Sequence, residues 1–141
     1  MNVSEKTVRG DGTNNSATRN RVSVLVVDDD PTIRTIHKAL LSSMGMEVEV
    51  ASDGQQAVNL HQMGASYNLV FMDMDMPVMD GLQATRKLRA MGIKTMIVGV
   101  TSRNFGSDIQ DFLQAGLNYC IVKPLTIEKV TPLIGEVIRN M

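Results

Sequence analysis

From residue 22 onward the chain alternates two apolar patterns. Val22-Ser23-Val24-Leu25-Val26-Val27 is a β-branched run, short enough for a buried strand. Ile33, Ile36, Leu40, Leu41 and Met44 follow at helical spacing, and Gly45 is placed to end that helix. The alternation then repeats. A strand over 48–51 precedes a helix over 55–63 with Val58 and Leu60 as anchors. The most apolar strand, 68–72, precedes a helix marked by Leu82, Leu88 and Met91 that stops near Gly92. A fourth strand, 95–100, precedes a helix marked by Ile109, Phe112 and Leu113 and ended by Gly116. A fifth strand, 119–122, leads to Thr126, which can cap a last helix carrying Ile127, Val130, Ile134, Val137 and Ile138. Pro132 and Gly135 inside that helix predict a kink or fraying. Buried strands joined by helical segments of ~10–15 residues predict βαβ crossovers and an α/β fold with a parallel sheet.

Residues 1–21 do not share the pattern. Asn, Ser, Thr and Gly dominate, and Met1, Val3, Val8 and Ala17 are the apolar residues, too few to offset the entropy of ordering. The stretch reads as a flexible polar tail with no apolar core of a signal peptide, and residues 22–141 as one domain. At 141 residues and 43% hydrophobic, the chain can build a single core. The tail carries Lys6, Arg9, Arg19 and Arg21 against Glu5 and Asp11, so the whole chain's net charge of −1 leaves the domain itself acidic. That balance argues against a nucleic-acid surface and a polybasic membrane anchor. No apolar run approaches the ~20 residues of a membrane helix. One cysteine rules out an internal disulfide and fits a reducing compartment.

In parallel α/β sheets ligands bind beyond the carboxyl ends of the strands. There the sequence places Asp28, Asp29 and Asp30 after the first strand, and Asp73 and then Asp75 after the third. Thr101 and Ser102 follow the fourth, and Lys123 and Pro124 the fifth. If the first and third strands are neighbours, their carboxylates share one pocket and repel one another. A hard divalent cation relieves that repulsion. Mg²⁺ suits the set, since it takes one or two carboxylates, waters and a phosphoryl oxygen. A carboxylate nucleophile, a metal, the Lys123 ammonium and the Thr101 hydroxyl together suit phosphoryl transfer to a carboxylate.

Each feature has a plainer reading. Asp28 and Asp29 could be helix caps before Pro31, although Asp30 is the better cap. Asp80-Gly81 reads as turn and cap chemistry, and Ser52-Asp53-Gly54 as an ordinary turn. His37 and His61, expected on helix surfaces or flanks, lack the i, i+4 partners of a metal motif and read as structural. Cys120, on a buried strand, reads as inert.

Four pieces carry a resemblance: Leu25-Val26-Val27-Asp28-Asp29-Asp30, the run from Met72-Asp73-Met74-Asp75-Met76-Pro77 to Asp80-Gly81, Val100-Thr101-Ser102, and Val122-Lys123-Pro124. In this order and spacing, over roughly 22–139, the chain resembles the receiver domain of two-component response regulators. The resemblance implies a doubly wound, flavodoxin-like sheet of five parallel strands in the order 2-1-3-4-5. It implies Asp73 as phosphoacceptor and Mg²⁺ held by Asp29 directly, Asp28 largely through water, Asp73, and the backbone carbonyl of Asp75. It implies Thr101 as the switch hydroxyl, Lys123 as the ligand of a phosphoryl oxygen, and Pro124 as a cis-proline aiming Lys123 inward. Gly99-Val100-Thr101-Ser102, Ala115-Gly116-Leu117-Asn118 and Lys123-Pro124-Leu125-Thr126 are similar to the plant type-C regulators, receivers without an output domain. That similarity implies a relay or phosphate sink in cytokinin signalling, cytoplasmic or also nuclear. The implied partner is a histidine phosphotransfer protein or histidine kinase, met by a monomer.

Two positions depart from the family's pattern. Cys120 stands where an aromatic switch is common, and Tyr119 beside it points to the opposite strand face, so a tyrosine flip is not expected. The acidic side chain of Asp75 is expected to affect phosphate lifetime. The alternatives are a haloacid-dehalogenase-like phosphatase using Asp73-Met74-Asp75, a receiver segment of a hybrid histidine kinase, and an unphosphorylated interaction module.

Overall fold

The computed structural model describes residues 21–76, 78–102 and 109–141. The expectations for the tail through residue 20, and for Pro77, lie outside the described residues. Among the described residues five strands alternate with five helices. They are β1 (Ser23–Val27), α1 (Pro31–Ser43), β2 (Glu47–Ala51), α2 (Gly54–Gln62), β3 (Leu69–Asp73), α3 (Gly81–Ala90), β4 (Met96–Thr101), α4 (Ile109–Gln114), β5 (Tyr119–Val122) and α5 (Ile127–Arg139). All pairings are parallel and the strand order is β2-β1-β3-β4-β5, the order expected from the resemblance.

Side chains alternate across a strand, so the apolar runs divide between two cores. Val24, Val26, Leu69, Phe71, Val98 and Val100 pack under α1 and α5 against Leu41, Val130, Leu133 and Val137. Leu25, Val27, Val70, Met72 and Ile97 face the other way, against Ala57 and Val58 of α2 and Ala84 and Leu88 of α3. Every residue of the central strand β3 is buried, and each large apolar side chain there contributes about 1.5–3 kcal/mol.

Local signals set the helix ends. Asp30 caps α1, its carboxylate accepting from the N–H of Thr32 at 2.9 Å, with Pro31 at the first helical position. Asp80 and Gln83 form a capping box on α3, and Thr126 caps α5. Gly45, at φ 91, supplies the left-handed turn that ends α1.

Four expectations are corrected. Helix α5 is not frayed: it runs unbroken from Ile127 to Arg139 through Pro132, which is exposed to solvent. Asp53 is more than a turn residue: it caps α2, accepting from Gln56 N–H at 2.8 Å. His37 and His61 are not on helix surfaces but buried, at 2% and 6% exposure. Ile36, by contrast, is 52% exposed, because the inward stripe of α1 passes through its neighbour His37. Among the described residues no helix is long and apolar enough to cross a membrane.

Candidate functional site

The register builds the site. β1 and β3 pair with Val27 opposite Met72, so the residues that follow, Asp28 and Asp73, emerge side by side. β4 pairs with β3 and then β5, with Asp73 opposite Val100 and Thr101 opposite Val122. Thr101 and Lys123 are thereby carried to the same rim. The condition set by the sequence, that the first and third strands be neighbours, is met.

One carboxylate oxygen from each of Asp28, Asp29 and Asp73 lies within 4.8 Å of the others. Asp28 and Asp73 are buried and Asp29 is exposed, so the cluster opens to solvent on one side. Asp28 is fixed from three directions. Its N–H donates to Ala51 O at 3.1 Å, its Oδ1 accepts from Asp30 N–H at 2.9 Å, and Arg34 Nη1 donates to its carbonyl at 2.7 Å. Asp73 Oδ1 accepts from the N–H of Asp75 at 3.0 Å. Lys123 Nζ lies 2.9 Å from Asp28 Oδ2 and 3.4 Å from Asp73 Oδ2. The Lys123–Pro124 peptide is cis, as the resemblance implied. The backbone N–H of Lys123 donates to Thr101 O at 2.7 Å.

Thr101 is buried, and its hydroxyl donates to Asp75 Oδ2 at 3.0 Å. The Asp75 side chain is not one of the three clustered carboxylates and accepts from the Thr101 hydroxyl. Tyr119 points away from the site and donates to Glu136 Oε1 at 2.5 Å on the exposed flank, while Cys120 packs in the core beneath α4. Burial pushes the Cys120 thiol up, which suits an inert role.

The electrostatics are unbalanced. Among the described residues three carboxylates face one ammonium. Burial, together with neighbouring Asp28, pushes the Asp73 carboxyl up from 3.8 to about 6, against the pull of the Asp75 N–H and Lys123. Asp73 Oδ2 is buried and accepts no hydrogen bond among the described residues, its ion pair with Lys123 apart. A buried, under-coordinated carboxylate oxygen beside two further carboxylates fits a hard, oxygen-seeking cation such as Mg²⁺.

Sequence reasoning missed Arg34 and Gly81. Arg34 lies six residues beyond Asp28 and contacts its backbone, a contact with no local signature. Gly81 is buried against the backbone of Asp73 and Met74, so closely that a Cβ there would collide with the Asp73 carbonyl. Its signal was the Asp-Gly pair after the Asp73 segment, legible only as a cap.

The family model for the response regulator receiver domain matches residues 24–134. Two-component response regulator 24 of Arabidopsis thaliana is 44% identical over 116 residues, covering 82% of this chain and 84% of that protein. Two-component response regulator ARR22 of the same plant is 44% identical over 117 residues, covering 82% of each. Among solved structures, the receiver domain of sensor histidine kinase PA1611 from Pseudomonas aeruginosa, with a magnesium ion coordinated in its active site cleft, is similar. Its TM-score is 0.73 at 31% identity, over 84% of this chain and 98% of that one. With the strand order, the carboxylate corner and the cis Lys-Pro turn agreeing with this match, the chain belongs to the response regulator receiver domain family of two-component phosphorelays.

Proposed function

We propose that this receiver takes a phosphoryl group from a phosphohistidine onto Asp73, with Mg²⁺ present, and loses it by hydrolysis. The donor is a histidine phosphotransfer protein or a histidine kinase. The observation that carries this reading is the Lys123 ammonium, 2.9 Å from Asp28 and 3.4 Å from Asp73, closing a cluster of three carboxylates.

A carboxylate oxygen of Asp73 attacks phosphorus as the N–P bond breaks. The imidazole leaves with the bonding pair and the carrier histidine regains its proton from solvent. Lys123 neutralises a phosphoryl oxygen and holds it in line, where positioning and charge do most of the catalytic work. Thr101, whose hydroxyl donates to Asp75, turns that donor to another phosphoryl oxygen. Asp28, Asp29 and Asp73 would hold Mg²⁺, with the Asp75 carbonyl as a further ligand; when bound, the ion would offset the charge gathering on the transferred group. In hydrolysis a water oxygen attacks phosphorus, the acyl O–P bond breaks, and the Asp73 carboxylate returns. The exposed carboxylate of Asp75 borders that water path and so influences phosphate lifetime.

Similarity to the two Arabidopsis regulators supports the assignment to two-component signalling; within it, the reading extends to a relay or phosphate sink over residues 22–141, a monomer of the cytoplasm or nucleus that also removes phosphate from the carrier. The test incubates the full chain with a phosphorylated histidine carrier, with Mg²⁺ or with chelator, and follows phosphate on both proteins. Transfer that needs Mg²⁺ and disappears in Asp73→Asn is expected. Undiminished labelling of that variant defeats the assignment, and rapid turnover of generic phosphomonoesters favours the dehalogenase-like phosphatase instead.

A further inference from the structure

Helix α1 leaves the acidic corner at Pro31 and carries His37 on its inward face, where the residue is 2% exposed. His37 Nε2 lies 3.3 Å from the backbone nitrogen of Leu125, 88 residues further along the chain. An amide N–H only donates, so Nε2 accepts and the ring is neutral, with its proton on Nδ1. Burial holds His37 below the usual histidine range, against the pull of Asp28 and with the help of Lys123. A protonated ring would present two donors and lose this bond.

Leu125 follows the cis Lys123–Pro124 peptide. The turn that presents Lys123 is tied down along its length. Lys123 N–H donates to Thr101 O at 2.7 Å, and Lys129 Nζ donates to the carbonyls of Val122 and Pro124 at 2.7 and 3.1 Å. Pro124 has no N–H, so the amide of Leu125 is the next donor after that of Lys123. Leu125 is buried, and its N–H meets the His37 ring. At its other end α1 is anchored to the acidic corner, because its cap Asp30 donates its N–H to Asp28 Oδ1. One helix therefore spans the carboxylates and the turn that carries the amine.

We infer that His37 is a positioning residue for Lys123: through the Leu125 amide it fixes where the ammonium stands relative to Asp28 and Asp73. The inference rests on the phosphoacceptor reading above. It assigns His37 no contact with phosphate or metal, only control of the turn behind Lys123.

The test uses the full chain, Mg²⁺ and acetyl phosphate, with two variants. His37→Leu keeps the side-chain bulk and removes the acceptor; His37→Gln places an amide oxygen near the position of Nε2. Initial labelling of His37→Leu is expected to fall about fivefold to tenfold, the effect of one lost hydrogen bond, and His37→Gln to recover most of it. Mg²⁺ affinity, read by calorimetry, is expected to stay within about twofold of the wild type in both variants, since the carboxylates hold the ion. Wild-type labelling is the control on the underlying reading: its absence overturns that reading and this inference with it. Normal wild-type labelling with an equally fast His37→Leu overturns the role of His37 alone. Joint loss of labelling and Mg²⁺ affinity in both variants also overturns it, because that pattern marks general loss of packing.

Discussion

At the amino-terminal ends of the strands, Asn68 Oδ1 accepts from the N–H and the hydroxyl of Ser23 at 2.9 and 3.1 Å. Arg89 gives hydrogen bonds to Gly116 O, Ile93 O, Thr95 O and Asn118 Oδ1, all between 2.8 and 3.0 Å. Two clefts of about 350 and 330 Å³ lie at this end, and no cluster of three metal-ligating residues is found there among the described residues. At the carboxyl-terminal ends, among the described residues, Asp28, Asp29 and Asp73 crowd together around one ammonium, and Asp73 Oδ2 accepts no hydrogen bond. Both ends hold half-buried or buried polar groups. At one end the groups satisfy each other and fasten loops to strands. At the other, charge is left over for something that arrives later. The difference separates polar residues that serve the fold from those that work against it.

The largest effect is expected at the amino-terminal end. Arg89→Met strips partners from three carbonyls and from Asn118, and should cost about 3 kcal/mol in urea unfolding. Labelling of the fraction that stays folded should persist. Loss of labelling without loss of stability would break the division between the two ends.

Gly81→Ala should come next, at about 2–3 kcal/mol, because the added methyl must displace the backbone of Asp73 or the sulfur of Met74. Unlike Arg89→Met, it should also slow labelling, since Asp73 itself shifts.

Asp73→Asn should move stability the other way, raising it at pH 7 without metal. The folded carboxyl titrates at about 6 and the unfolded one near 3.8, so between these values the folded chain keeps a proton that the unfolded chain has released. Wild-type stability therefore falls as pH rises through that window and levels off above it. Unfolding curves taken across pH 4–7 should show this slope in the wild type and its loss in Asp73→Asn.

Mg²⁺ at about ten times its dissociation constant should raise wild-type stability by about 1.4 kcal/mol through preferential binding to the folded chain. The gain should shrink in Asp73→Asn. The smallest effect is expected from Tyr119→Phe. Tyr119 bonds Glu136 on an exposed flank, so labelling should be unchanged and stability should move by less than about 0.5 kcal/mol.

The strands, the caps Asp30, Asp80 and Thr126, and the identity of Asp28, Asp29, Asp73, Thr101 and Lys123 as strand-end residues were legible in the sequence. They rest on short-range rules: apolar periodicity, a cap three residues from the N–H it serves, a glycine at a helix end. The stripe of α1 also held a readable sign for His37, which stands four residues after Ile33 and four before Leu41, yet Ile36 was the expected inward residue. Tertiary structure alone decided the rest. It brought β1 beside β3, so that acids 45 residues apart share one corner, and it set His37 against an amide 88 residues away. It also turned Asp75 toward Thr101 and pressed Gly81 onto the Asp73 backbone. Periodicity says which face of an element is buried; what that face meets depends on strand pairing and layer packing, which bring together residues that share no local pattern.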